Sequence, residues 1–279
     1  MSPWLATVLL LGVAAVWGWT FVVVQDAIMV YPVLAFLAVR FVIAAASTLA
    51  LWGRHLTRPA LVAGAGPGLL LAAGYLLQTV GLRYTTATNA GLITGLFVVI
   101  APLADRAFYG TVLPRRAWIA AGISLVGMSL LSGAAPERLA AGDLIVLGCA
   151  FGFGFHIAVL SRVAPHHDSR ALGISQMGAM AVVFVVLWPV FGELQAPPRE
   201  VWFALILTGV VASAIAYVVQ TAAQRRLSAV RTAVILTTEP LFAGLFGYIL
   251  AHERLAPVQL AGALLILLAL VLSEVLPAL

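Results

Sequence analysis

Leu11 to Thr20 reads LGVAAVWGWT, and Leu147 to His156 reads LGCAFGFGFH. A Leu-Gly pair, an alanine and an aromatic-Gly-aromatic triplet recur at one spacing, so that Trp17-Gly18-Trp19-Thr20 stands against Phe153-Gly154-Phe155-His156. Carried forward unchanged, this register sets Arg40 against Gln176. Further along, Tyr75, Gln78-Thr79 and Ala87 match Tyr217, Gln220-Thr221 and Ala229, and Pro102-Leu103 matches Pro240-Leu241, with small loop insertions shifting the register between blocks. One pattern is therefore used twice, over about 1–135 and about 140–279.

The material around these matches is apolar. Of 279 residues 63% are hydrophobic and 9% charged, against roughly 25% charged in a soluble domain, which leaves nothing to build a water-facing surface. Apolar runs bounded by Arg, Pro, Gly and acidic residues predict helices near 4–24, 32–52, 64–82, 87–109, 116–133, 142–161, 170–191, 201–222, 229–250 and 257–275, most of them near the roughly 20 residues that a spanning helix needs. Five helices per unit is an odd number, so the second copy must enter the bilayer from the opposite face. The expected fold is an all-α integral membrane protein, a single domain of ten transmembrane helices in two inverted five-helix repeats. Such repeats are a recurrent plan of secondary transporters, in which two halves exchange conformations around one site.

Charge narrows the reading further. The net charge is +5, but there is no lysine and no basic run longer than two residues, so nucleic-acid binding is not expected. With the N-terminus inside, ten arginines, including Arg54, Arg106, Arg162 and Arg225, fall at cytoplasmic ends, against Arg83, Arg138, Arg199 and Arg254 outside. This bias predicts both termini in the cytoplasm. The first apolar stretch outruns a signal-peptide core and is read as a membrane helix. A single cysteine, Cys149, leaves no internal disulfide. No HExxH, GxSxG or phosphate-binding loop is present, so neither an enzyme nor a nucleotide-driven pump is expected. His166-His167-Asp168 lies in a loop beside Arg162 and Arg170 and is not read as a metal site; no cofactor is expected.

Trp17-Gly18, Pro32 with Arg40-Phe41, the stretch GLRYTTATNAGL from Gly81 to Leu92, Pro102, Glu239-Pro240-Leu241 and His252-Glu253-Arg254-Leu255 together resemble the drug/metabolite transporter superfamily and, within it, ten-helix EamA-type exporters. The first half departs from the pattern, since Tyr109-Gly110-Thr111-Val112 lacks the acid of the terminal Glu-Arg-Leu. The resemblance implies a bacterial inner-membrane protein that exports amino acids or other small metabolites through a central cavity, and two repeats within one chain make a monomer the default. A membrane-embedded enzyme, a scaffold, or a carrier of nucleotide sugars on the same fold are the alternatives.

Polar groups on spanning helices must turn away from lipid, because an unsatisfied one costs several kcal/mol there. Tyr75, Gln78 and Thr79 share one helical face, and Tyr217, Gln220 and Thr221 repeat it; they are assigned to the cavity. Interhelical bonding, worth about 0.6 kcal/mol per bond, is the other role open to them. Trp17 joins the cavity because its face also carries glycine, whereas Trp19 is expected to face lipid. Arg40 lies about eight residues into the second helix, roughly 12 Å deep, either tying backbone together or clamping a substrate carboxylate. Glu239 is read as the mid-helix residue before Pro240, with Ala101 as its repeat partner, able to meet a substrate ammonium or a coupling proton. His156 faces Thr20 across the repeat, as a titrating group or a hydrogen-bonded core histidine. Gly91, Gly95 and Pro102 in the fourth helix, with Pro240, Gly244 and Gly247 in the ninth, are expected to let these two helices bend as gates lined by Asn89 and Thr94, and by Thr237 and Thr238.

Overall fold

The structure, a computed structural model, describes residues 1–85, 87–131, 141–250 and 256–275, with the backbone alone at 88–89, 116, 131, 247–250 and 273–275. Its helices are α1 (Pro3–Val30), α2 (Val33–Trp52), α3 (Arg58–Gly81), α4 (Ala87–Thr94), α5 (Phe97–Tyr109), α6 (Arg115–Leu131), α7 (Ala141–Val163), α8 (Ser169–Phe191), α9 (Trp202–Ile206), α10 (Ala216–Gln224), α11 (Ala229–Leu236), α12 (Glu239–Leu250) and α13 (Pro257–Val275). Eight helical stretches are long and apolar enough to cross a membrane, and two shorter apolar helices, Ala117–Leu130 and Pro257–Leu272, accompany them. This is an all-helical multi-pass membrane protein. The terminal His252 to Leu255 pattern and Arg138 lie outside the described residues.

Two helices run beyond their expected ends. The α1 helix starts at Pro3 under a Ser2 cap whose hydroxyl accepts from the Leu5 N–H, and it passes through Gln25 and Asp26 to Val30. It stops there because Tyr31, extended ahead of Pro32, cannot continue a helix comfortably. Gln25 is accommodated by donating to the carbonyls of Leu82 and Thr85 at 3.4 and 3.2 Å. The α3 helix begins at Arg58, six residues before the expected start, with the Thr57 hydroxyl as cap and Pro59 in its first turn. In both cases a charged or polar residue had signalled a helix end, although a helix that stands clear of the hydrocarbon can carry one.

Three helices expected to be continuous are interrupted. Between α4 and α5, Gly95 and Leu96 form a tight turn, with Val98 N–H bonded to Gly95 and Val99 N–H to Leu96. Between α11 and α12 the break falls at Thr237 and Thr238, whose hydroxyls donate back to the carbonyls of Val234 and Ile235 at 2.6 and 2.8 Å. Pro240, which follows the break, has no N–H to give to the helix ladder. The third interruption is a nine-residue π-helical segment, Leu207–Ile215, between α9 and α10.

Glycines set how closely the helices pack. A Cβ on Gly18 of α1 would fall 2.6 Å from the Glu239 carbonyl oxygen and 2.8 Å from the Ala243 nitrogen of α12. Gly154 of α7 sits in the same way against Ile100 and Ala101 of α5. The α3 helix packs on α7 and α8, α2 on α8 and the π segment, α1 on α10 to α12, α7 on α4 and α5, and α6 on α13. Among the described residues three buried apolar clusters result, and Trp17 and Phe153 each pack against the two larger ones, which puts these two rings at the seam between those two. Gly18→Ala is expected to cost about 1–3 kcal/mol through overpacking against backbone, seen as a lower thermal midpoint in detergent. Gly12→Ala, with nothing within 4 Å of its added carbon, is the neutral control.

Candidate functional site: a central aromatic cavity

The seam encloses a cavity of about 50 Å³, room for a few waters. Trp17 reaches it from α1, Arg40 from α2, Tyr75, Gln78 and Thr79 from α3, Thr94 from α4, His156 from α7, Tyr217 and Gln220 from α10, and Glu239 from α12. The structure thus brings ten of the expected residues to one place. Thr221, Thr237 and Thr238 are buried but do not line it; their hydroxyls close onto helix carbonyls, that of Thr221 onto Tyr217 at 2.6 Å. The Asn89 side chain is outside the described residues, and Gly247 is described by its backbone alone, within α12. Of the expected bend points, Gly95 lies in the α4–α5 break and Gly91 lies under Phe21, while Pro102 and Gly244 lie inside α5 and α12.

Glu239 is placed differently from expectation. It opens α12 after a two-residue break, as Phe97 opens α5, and so does not sit mid-helix. Pro240, next in line, occupies a first-turn site where no N–H is needed. Trp19 is likewise not simply lipid-facing: it is half-buried between Phe203 and Phe246, with ring centroids 6.2 and 6.1 Å away.

The walls are aromatic and tightly referenced to one another. The Tyr217 hydroxyl donates to the Tyr75 hydroxyl at 3.0 Å. Trp17 lies 5.3 Å from the Tyr217 ring, and Tyr75 lies 5.2 Å from Phe153. The π-helical segment supports this box from behind: the Trp17 indole N–H donates to the Ala212 carbonyl at 2.8 Å, and Arg40 donates through Nε and Nη2 to the Ser213 hydroxyl at 3.2 Å each. A π turn leaves carbonyls and side chains out of the usual register, which is how both acceptors come to face α1 and α2. The Arg40 guanidinium also lies over the rings of Tyr75 and Phe41, 4.6 and 5.1 Å from their centroids.

A basic and an acidic side chain share this cavity without pairing with each other. Arg40 is 3% and Glu239 7% exposed, yet the ion pairs among the described residues are His55 with Asp168 and Arg162 with Asp105. Among the described residues Arg40 spends Nε and Nη2 on Ser213, and no hydrogen bond is formed by its Nη1 or by the Glu239 carboxyl. Charges of this kind in a membrane interior are costly unless something answers them. A ligand bearing both an anionic and a cationic group would answer both.

Several contributors were not legible beforehand. Ser213 and the Ala212 carbonyl gave no signal, being small residues in an apolar run whose π-helical path depends on its neighbours. Phe153 and Thr20 were visible as repeat partners of Trp17 and His156 and do line the cavity. Gln224 falls beyond the expected end of the eighth helix at 222, whereas the helix runs through it.

Comparisons with known proteins agree with this architecture. The sequence profile described as the EamA-like transporter family matches residues 4–133 and 140–274. A protein of Archaeoglobus fulgidus described as an uncharacterized transporter is 35% identical over 263 residues, covering 93% of this chain and 82% of that protein. A solved crystal structure superposes with a TM-score of 0.81 over 98% of each chain at 19% identity, a likeness of fold alone.

Proposed function

The chain belongs to the EamA-like transporter family, of the drug/metabolite transporter superfamily, and from that premise we propose that it exports amino acids, aromatic or broadly neutral, across a bacterial inner membrane. Transport is secondary and proceeds by alternating access through the central cavity, with one chain as the working unit and no catalysis. The observation that carries this reading is that a basic and an acidic side chain, Arg40 and Glu239, line a single aromatic-walled cavity without pairing with each other. Arg40 takes the substrate carboxylate, Glu239 its ammonium, and the rings of Trp17, Tyr75 and Tyr217 its side chain. A coupling proton is the second role for Glu239. A nucleotide sugar, with two phosphates, finds a single arginine on this lining.

Ten membrane helices in two inverted repeats, about 1–135 and about 140–279, account for the lining. Trp17 and Phe153, Thr20 and His156, and Phe21 and Ile157 are related by one offset; Tyr75 and Tyr217, Gln78 and Gln220, Thr94 and Leu236, and Phe97 and Glu239 by another. All fourteen line the cavity. Packing follows the same exchange, α1 on α12 as α7 on α5, and α3 on α8 as the π segment on α2. Both termini are cytoplasmic on the arginine bias, the end at which Arg162 pairs with Asp105 and Arg170 meets His55.

Because the cavity holds only a few waters, an amino acid enters when the walls part at the breaks before Phe97 and Glu239. Labels at the exposed positions Phe108 and Arg226 are expected to change separation when substrate is added, and an unchanged distance removes the gate. Counterflow in proteoliposomes tests the function itself. Labelled L-phenylalanine is expected to exchange against internal unlabelled phenylalanine, and no exchange, or exchange of a nucleotide sugar instead, overturns the assignment.

A further inference from the structure

Behind Gln220 runs a chain of amides whose polarity is set at its far end. Gln224 points its Nε2 at the Ile157 carbonyl, 2.8 Å away, and at the Ser161 hydroxyl, 2.7 Å away. A backbone carbonyl can only accept, and the Ser161 hydroxyl already donates to that same carbonyl at 2.9 Å, so this end of the Gln224 amide must be its NH₂. Its Oε1 is therefore the atom that faces Gln220 and accepts from Gln220 Nε2 at 3.0 Å. The consequence falls on the other atom of Gln220. Its Oε1 has no partner, in a side chain 1% exposed that lines the cavity. An orphaned buried amide oxygen costs about 1–3 kcal/mol, and a flip would only orphan the NH₂ instead and turn the Gln220 oxygen toward that of Gln224.

His156 is fixed by the same logic. Gln176 Nε2 donates to the Leu172 carbonyl and to the Thr221 hydroxyl, each at 3.2 Å, and Thr221 itself donates to a carbonyl. Gln176 Oε1 is thus what faces His156 Nε2 at 2.8 Å, so that nitrogen carries a proton and Nδ1 of the neutral ring is an acceptor.

We infer that Gln224 is a positioning residue that locks Gln220 with its oxygen toward the cavity, making the α7–α10 wall an acceptor surface that selects substrates by an N–H donor group. The inference deepens the amino-acid reading and rests on it for the class of substrate, but the wall itself asks only for an ammonium. Three probes separate the two: L-phenylalanine, 3-phenylpropionate, which lacks the ammonium, and phenethylamine, which lacks the carboxylate. Binding to purified full-length protein is measured for wild type, Gln224→Met and Gln220→Met.

Both variants are expected to bind L-phenylalanine and phenethylamine about tenfold more weakly while 3-phenylpropionate is unchanged, the unchanged probe also showing that the fold is intact. Equal weakening of all three probes, or of none, overturns the inference and leaves the amides as packing. Should wild type fail to transport L-phenylalanine, the function assignment falls, and the wall is then judged on phenethylamine alone. Wild type that does not bind phenethylamine overturns the wall as well.

Discussion

Arg40→Gln is expected to weaken L-phenylalanine transport by roughly 10- to 100-fold, because a hydrogen bond to a charged group is worth about 1.5–3 kcal/mol and the substrate carboxylate has no other cationic side chain on the cavity lining. The guanidinium spends two N–H groups on Ser213 and keeps Nη1 for the ligand. Arg40→Lys restores the charge without the planar fork and should recover only part of the loss. The check is KM in proteoliposomes for L-phenylalanine beside binding of phenethylamine, which has no carboxylate and should be unaffected. Equal damage to both would assign Arg40 to holding the π-helical segment in place, since removing it also strips a cation from the rings of Tyr75 and Phe41.

Glu239→Gln is expected to have a comparable effect on the ammonium side and to alter the pH dependence as well. Glutamine keeps the size and an acceptor oxygen but cannot carry charge, so it can neither pair with an ammonium nor take up and release a proton. Transport of L-phenylalanine should fall by at least tenfold, in line with the loss of one charge-assisted bond of about 1.5–3 kcal/mol, and what remains should be flat with pH across the neutral range. Efflux followed at a series of pH values decides it. Unchanged transport at every pH would remove Glu239 from both the ammonium and the proton role. The substitution is conservative in packing: the carboxylate has no hydrogen-bond partner to lose among the described residues, and the close contact of Gly18 is with the Glu239 backbone carbonyl.

These two residues illustrate what could be read early and what could not. Arg40 and Glu239 stand out in an apolar sequence because ionisable groups there are expensive, so singling them out needed no coordinates. That they share a cavity, unpaired, did need them, since they lie far apart in the chain on α2 and α12. Glu239 was also expected mid-helix. The break falls at Thr237 and Thr238, whose hydroxyls bond back to their own helix, and composition does not distinguish it from an unbroken span.

The amino-acid sequence alone determined the solvent, the helical class and the repeated polar faces, because lipid penalises every unsatisfied polar group and so stamps its demands on residue type and spacing. Tertiary structure alone decided where helices break, which threonines turn inward and which end of each glutamine amide meets the cavity. Those choices depend on a partner supplied by another helix, a carbonyl of Ile157 or a hydroxyl of Ser213, and no local pattern can encode a partner that only folding brings near.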